Sequence, residues 1–177
     1  MSNLHKNHFE LLGLTAQFAL DTQLLDQHYR QLQAEVHPDR FAAASSTERM
    51  QSMQWATQVN EAYQTLKQPT ARARYILALK GVDTEEENNT SMPADFLMLQ
   101  MEWREAVEEA YDARDLAALD KLLGDMRQES QDLQDMLAAT LDQQQAWQEA
   151  AGMVRKLSFI DKIRADVAHK ISKLEDE

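Results

Sequence analysis

The 177-residue chain contains no cysteine, and it has only four glycines and three prolines. The absence of cysteine excludes disulfides, thiolate nucleophiles and cysteine-ligated metal sites. Few helix breakers, beside abundant Leu, Ala, Gln and Glu, favour a mostly helical fold. No apolar run approaches the roughly 18 residues of a membrane helix, and the N-terminal stretch lacks the pattern of a signal peptide. We therefore expect a cytoplasmic protein with no membrane span.

The net charge of −12 is spread unevenly along the chain. Residues 1–80 hold eight Lys and Arg against seven Asp and Glu, whereas residues 81–177 hold ten against twenty-three. The two parts thus carry net charges of +1 and −13, and this asymmetry predicts that they have different partners. Because an acidic surface repels phosphate groups, nucleic acid is not an expected ligand.

Helical signals divide the first eighty residues into four segments. A short helix over HFELL ends near Gly13, and Asp21 is a candidate N-cap for a helix at 21–36. A serine-rich capping signal before Glu48 predicts a long third helix. A fourth helix starts after the second proline and ends at Gly81. These elements predict a small helical bundle.

The second half begins with GVDTEEENNTSMP at residues 81–93, which has almost no apolar content and is typical of a linker. Three longer amphipathic patterns follow, at about 94–112, 115–142 and 144–174. Helices of this length with short connections favour an antiparallel three-helix bundle.

The stretch AEVHPDRF, residues 34–41, ends the second helix in an unusual way. Pro38 disfavours the helical conformation at His37, fixes its own φ and offers no N–H group. The turn therefore presents an imidazole and the carboxylate of Asp39 rigidly, which lowers the entropy cost of a later contact. The alternative interpretation is an ordinary helix-ending loop in which Asp39 caps a neighbouring element.

The order of these features resembles a J domain over residues 1–80. The shared motifs are the His-Pro-Asp turn, NEAYQTL in the long helix, and ARARYILALKG after a proline. The resemblance implies that this turn and the preceding helix bind a DnaK-like ATPase chaperone and stimulate its ATP hydrolysis. The residues that it assigns to this contact are His37, Pro38, Asp39, Arg40 and Arg30. Asp39 would pair with a cation of the chaperone, and the two arginines would face acidic surface.

The helix at 21–36 carries only Arg30 and His28 as basic or potentially basic residues, fewer than J domains usually display. This favours a dedicated chaperone partner over strong electrostatic steering. An enzyme is not expected, because His37 and Asp39 have no candidate nucleophile beside them. The serines that follow, Ser45 and Ser46, are better explained as helix-start residues.

The helix predicted at 94–112 has two apolar surfaces. One is a stripe to bury, formed by Phe96, Leu99, Trp103, Val107 and Ala110. Leu97, Met98 and Met101 lie roughly opposite, beside Glu102, Glu105, Glu108 and Glu109. In the last helix, Phe159 falls roughly 130° from the centre of the buried stripe. These residues indicate a partner groove, although contacts with another helix or with the first domain, or scattered surface residues, would also explain them.

Two segments, FLMLQMEWREAVEE and VRKLSFIDKI, resemble the C-terminal signatures of the HscB family of iron–sulfur co-chaperones. The resemblance implies an all-α protein with a J domain at 1–80, a linker at 81–93 and a C-terminal three-helix bundle at 94–177. It implies that the J domain engages an HscA-type ATPase chaperone while the bundle holds an IscU-type scaffold protein. The scaffold-binding residues would be Leu97, Met98, Met101, Glu102, Glu105, Glu109 and Phe159.

No cofactor, cluster or metal is expected to bind this chain itself. Two other functions stay open from the sequence. One is a J-type adaptor for a different client. The other is a helical adaptor in which the His-Pro-Asp string is incidental.

Overall fold

Helices are the regular elements of residues 6–86 and 92–176, the part of the chain that the computed structural model describes. The predicted all-α class is confirmed. The chain folds into two compact units, Met1–Ile76 and Leu77–Glu177. None of the helices in the described ranges is long and apolar enough to cross a membrane.

The helices follow the sequence pattern closely. The first half contains α1 (His8–Leu11), α2 (Thr22–Val36), a 3-10 turn (Pro38–Phe41), α3 (Ser46–Lys67) and α4 (Pro69–Leu79). The second half contains α5 (Ala94–Asp112), α6 (Leu116–Ala138), a π-helical turn (Ala139–Gln144) and α7 (Trp147–Glu175).

Local hydrogen bonds explain where the helices begin and end. The Asp21 carboxylate accepts two backbone N–H groups of the first turn of α2, which confirms it as the N-cap. Ser45 and Glu48 form a reciprocal capping box at α3, and the hydrogen bond from the Ser45 N–H lowers the pKa of Glu48. After α4, Gly81 adopts a φ of +72°, which suits a residue without Cβ.

In the first unit α3 packs against both α1 and α2. The fully buried side chains include Phe9, Leu12, Leu25, Val59 and Leu66. At the edge of this core Asp26 of α2 accepts hydrogen bonds from Lys67 at 2.6 Å and from Tyr63 at 2.9 Å. The two helices are therefore joined by polar contacts as well as by apolar burial.

A buried arginine ties α4 into the same unit. The guanidinium of Arg72 donates to the carbonyl oxygen of Leu66 at 2.8 Å and to that of Phe18 at 2.7 Å. It also lies 5.3 Å from the centre of the Phe18 ring. Arg72 thus supplies donors to two carbonyl oxygens in buried hydrogen bonds.

In the second unit α6 packs on α7 and α5, and α5 packs on α7, as expected of a three-helix bundle. The centre of the bundle is apolar and includes Leu119, Met126, Leu137, Val154, Leu157 and Ile160. The helix predicted to run to residue 142 ends earlier, at Ala138, and widens into the π-helical turn. There the Thr140 hydroxyl donates to the carbonyl oxygen of Met136 at 2.8 Å.

The segment after Gly81 is held by α7. Thr84 is buried, and its carbonyl oxygen accepts a hydrogen bond of 3.0 Å from the guanidinium of Arg155. The Thr84 hydroxyl donates to the Glu86 carboxylate at 2.6 Å. The described part of the predicted linker, residues 81–86, is therefore anchored within the second unit.

Candidate functional sites

The His-Pro-Asp turn is ordered by its own backbone. His37 has φ −59° and ψ 130°, the extended conformation that a following proline favours. Its Nδ1 atom accepts the backbone N–H of Asp39 at 3.3 Å, and thereby caps the 3-10 turn. The side chains of His37 and Asp39 are 54% and 92% exposed. The turn consequently presents both groups to solvent.

Contacts with the neighbouring helices hold this turn in place. The buried hydroxyl of Ser52 in α3 donates to the carbonyl oxygen of Val36, the last residue of α2, at 2.8 Å. The guanidinium of Arg40 folds back to the carbonyl oxygen of Ala34 at 3.3 Å. Sequence reasoning missed Ser52, although Ser52 lies seven residues, about two turns, before the buried Val59 and so faces the same way on α3.

Arg30 and Arg40 are both exposed. The other potentially basic residue of α2 is His28, and its side chain contacts the end of α1 instead. His28 is half-buried, with its Nδ1 atom 2.7 Å from the carbonyl oxygen of Leu12. Because a carbonyl only accepts, Nδ1 carries the proton in this contact. His28 thus fastens α2 to the end of α1 and contributes little to a basic surface.

The outer face of α5 combines apolar and acidic side chains. Leu97, Met98 and Met101 are 37%, 63% and 71% exposed, while Phe96 and Trp103 are buried against the bundle. The carboxylates beside them are all exposed, and they belong to Glu102, Glu105 and Glu109. We refer to Leu97, Met98, Met101 and these three glutamates as the α5 outer face. Its exposed apolar side chains, bordered by acids, have the composition of a protein-binding surface.

Phe159 of α7 packs against the edge of α5 and remains partly exposed. Its ring meets Phe96 edge to face at 6.1 Å, and the Arg104 guanidinium lies 5.2 Å from its centre. Leu97, Met101 and Arg104 succeed each other at spacings of four and three, so they share one side of α5. The side of α5 that reaches over Phe159 is therefore the side that carries Leu97 and Met101.

A groove of about 560 Å³ continues from Phe159 between α5 and α7. Val107 and Ile163 line it beside the cations Arg104, Arg155 and Lys162. Near its rim the Glu108 carboxylate lies 3.1 Å from the Lys170 ammonium and raises the pKa of Lys170. Neither the His-Pro-Asp turn nor the α5 outer face brings a nucleophile next to an acid–base pair. In the described ranges, no group of three His, Asp or Glu side chains is arranged to hold a metal ion.

An exposed His-Pro-Asp turn between two packed helices of a four-helix unit defines a J-domain protein. Residues 7–75 match the family model described as the DnaJ domain. Residues 92–168 match the model described as the HSCB C-terminal oligomerisation domain. The chain belongs to the HscB family of J-type co-chaperones of iron–sulfur cluster assembly.

The similarity to known proteins extends over nearly the whole chain. The co-chaperone protein HscB homolog of Paraburkholderia xenovorans is 49% identical over 99% of this chain and 100% of its own length. The chaperone HscB from Vibrio cholerae superposes with a TM-score of 0.84 at 39% identity, over 96% of this chain and 99% of that one. Human co-chaperone protein HscB gives a TM-score of 0.90 at 30% identity, over 96% and 84%.

Proposed function

We propose that this protein delivers an IscU-type iron–sulfur scaffold to an HscA-type ATPase chaperone in the cytoplasm and stimulates ATP hydrolysis by that chaperone. The observation that carries the proposal is the exposure of two chemically different surfaces on separate compact units of one chain. The proposed role is regulatory and not enzymatic, with no cofactor bound by the chain itself.

The His-Pro-Asp turn is the proposed chaperone contact. Asp39 extends from a turn that is already held by one hydrogen bond just before it, at Val36, and by another within it, between Asp39 and His37. A carboxylate held in this way loses little entropy when it pairs with a cation of the ATPase. Arg30 and Arg40 are exposed on and after α2, so they can meet acidic groups of the same partner. The remaining assigned residue, Pro38, sets the backbone of the turn.

The α5 outer face, together with Phe159, is the proposed scaffold contact. Complete burial of an apolar side chain such as Leu97 or Met101 contributes roughly 1.5–3 kcal/mol, so a few such residues supply much of an affinity. The three glutamates form a polar border that favours a basic edge on the scaffold and disfavours acidic partners. Phe159 adds an aromatic ring whose position is set by Phe96 and Arg104.

The two contacts act together by tethering. A scaffold held on the second unit reaches the chaperone that is bound to the first unit at an effective concentration on the order of millimolar. Stimulation of the ATPase is then coupled to the presence of the client.

The test is the ATPase rate of the chaperone with and without the scaffold. Asp39→Asn should abolish stimulation, and it should leave scaffold binding unchanged because the side chain is exposed. Glu35→Gln is the matched control, since it removes an exposed carboxylate only two residues before His37. Stimulation by Asp39→Asn at the wild-type rate would refute the chaperone contact.

A second pair of variants tests the scaffold contact. Leu97→Ala with Met101→Ala should weaken scaffold binding by at least tenfold and leave stimulation without scaffold intact. Leu116→Ala with Met136→Ala removes the same two residue types from exposed positions on α6, and it should have little effect. Phe159→Ala is measured separately, because its ring also packs on Phe96. Unaltered scaffold binding by all of these variants would refute the α5 outer face as the scaffold contact, whereas failure of the wild type to bind the scaffold would point to a J-type adaptor for a different client.

A further inference from the structure

Methionines are concentrated among the most exposed apolar side chains of this protein. Met98 and Met101 are 63% and 71% exposed, more than any other methionine in the described ranges. Met50, Met53 and Met136 are 61%, 61% and 53% exposed. In contrast, Met92, Met126 and Met153 are buried. Since the chain has no cysteine, its exposed thioethers are its principal sites for reaction with a peroxide.

We propose that Met98 and Met101 form an oxidant-sensitive modification site that controls the affinity of the α5 outer face for its client. The oxidant is hydrogen peroxide, and the inference rests on the scaffold contact proposed above. A lone pair of the thioether sulfur attacks one peroxide oxygen, an S–O bond forms and the O–O bond breaks. The sulfur loses two electrons, and the departing hydroxide takes the proton from the oxygen now bound to sulfur, so that the products are the sulfoxide and water. Methionine sulfoxide reductases reverse the change with electrons from a dithiol.

The position of the two methionines makes the modification consequential. They are three residues apart, so both thioethers belong to one side of α5 and enter the same contact. Oxidation replaces each apolar sulfur by a strongly polar sulfoxide, whose oxygen needs a hydrogen-bond donor when it is buried. Glu102 and Glu105 follow the methionines by four residues each, and their carboxylates accept hydrogen bonds but do not donate them.

Arg104 lies three residues after Met101 and is already placed over the ring of Phe159. A hydrogen bond from this guanidinium to a sulfoxide at Met101 would move Arg104 off the ring of Phe159. That movement would disturb a second part of the scaffold contact. Oxidation of this face therefore weakens client binding whether or not the sulfoxide finds a donor on α5.

The exposed methionines elsewhere provide a matched control. Met50 and Met53 belong to α3, and Met136 belongs to α6, so none of them is part of the α5 outer face. Their exposure is close to that of Met98, and they should oxidise under similar conditions. Oxidation at these positions should not alter scaffold binding.

The experiment treats the full chain with hydrogen peroxide and locates each added oxygen by peptide mass spectrometry. Affinity for a purified IscU-type scaffold is measured before treatment, after treatment and after repair by sulfoxide reductases. The wild type, Met98→Leu with Met101→Leu, and Met50→Leu with Met53→Leu and Met136→Leu are each compared with their own untreated affinity. Circular dichroism checks that the treated proteins keep their helices.

The wild type and the triple variant should lose roughly ten- to hundredfold in affinity on oxidation and regain it on repair. The double variant should change by less than about twofold. The inference is overturned if both methionines carry oxygen and affinity is retained, if the double variant loses as much as the wild type, or if these two methionines resist oxidation while the other exposed ones react. Failure of the untreated wild type to bind the scaffold would instead refute the proposed function, and the inference with it.

Discussion

The hydroxyl of Ser52 donates a 2.8 Å hydrogen bond to the carbonyl oxygen of Val36, and this contact fastens the end of α2 to the second turn of α3. α2 stops immediately after Val36, because Pro38 forces His37 out of the helical conformation. The Val36 carbonyl would otherwise be buried without a donor. One side chain in α3 thus stabilises the base of the proposed chaperone contact.

Removal of this donor should cost stability. Ser52→Ala leaves a buried acceptor unpaired, and we expect the free energy of unfolding of the full chain to fall by about 1–2 kcal/mol in urea titration. ATPase stimulation should fall as well, because the His-Pro-Asp turn loses a support. Ser46→Ala, an exposed position in the first turn of α3, is the control and should change stability by less than about 0.5 kcal/mol. Equal stability of both variants would contradict the role of Ser52.

Asp26 should make the first unit sensitive to acid. Hydrogen bonds from Lys67 and then from Tyr63 hold the pKa of Asp26 below its ordinary value of 3.8. A group with a lowered pKa stabilises the fold above its unfolded value, and this stability is lost as the pH falls through the folded value. Asp26→Asn should therefore reduce stability at pH 7 and flatten its dependence on pH below about 4.

The contribution of the same ion pair to stability also has an upper pH limit. The Asp26 carboxylate raises the pKa of Lys67 above 10.5, so the contribution of Lys67 persists at neutral pH and is lost as the pH rises through the raised value.

The loss of stability in acid is tested by urea midpoints measured below neutral pH for the wild type, Asp26→Asn and the control Glu35→Gln. An unchanged loss of stability in acid for Asp26→Asn would show that other carboxylates control it.

Arg72 should be among the most sensitive positions of the first unit. Arg72→Met keeps the apolar volume of the side chain and removes the donors to the carbonyl oxygens of Leu66 and Phe18. Because two buried hydrogen bonds from a charged donor are lost, we expect a decrease of about 2–4 kcal/mol in the free energy of unfolding. Arg49→Met at an exposed position of α3 in the same unit is the matched control. A similar loss in both variants would show that net charge, and not buried hydrogen bonding, dominates.

Two glycines should respond to alanine in opposite directions. Gly81 has a φ of +72°, where an L-residue is strained, so Gly81→Ala should destabilise the protein by about 1 kcal/mol. Gly124 lies inside α6, and nothing lies within 4 Å of the position that its Cβ would take. Gly124→Ala should therefore stabilise the protein by about 0.5–1 kcal/mol in thermal or urea unfolding. A change of the same sign at both positions would contradict these backbone assignments.

Local signals in the sequence predicted most helix boundaries. Some helices begin or end through contacts that span only a few residues, so the sequence pattern predicts them. These contacts involve Asp21, Ser45 with Glu48, and Gly81. α5 begins and ends where the periodicity predicted, at Ala94 and Asp112. The end of α6 was harder to predict, because the hydroxyl of Thr140 in the π-helical turn also contacts the sulfur of Met153 in α7, at 3.8 Å.

The composition of the two candidate surfaces could be predicted from the sequence, whereas the tertiary contacts that hold these surfaces in place could not. Sequence order brought together His37 and Asp39, and helical periodicity placed Met98 and Met101 away from the buried stripe. The contacts of Ser52 with Val36, of Arg155 with Thr84 and of Phe159 with Phe96 join residues that are distant in the chain. Only the approach of packed helices decides such pairs.

The sequence by itself therefore determined the helical class, most of the helix ends and the chemistry displayed at the turn and on α5, since these depend on neighbours within about one or two turns. Tertiary structure alone decided that His28 turns inward to Leu12, that Arg72 is buried, and which edge of α5 covers Phe159. Hydrogen bonds and ring contacts of this kind depend on distances between helices, which no local pattern specifies.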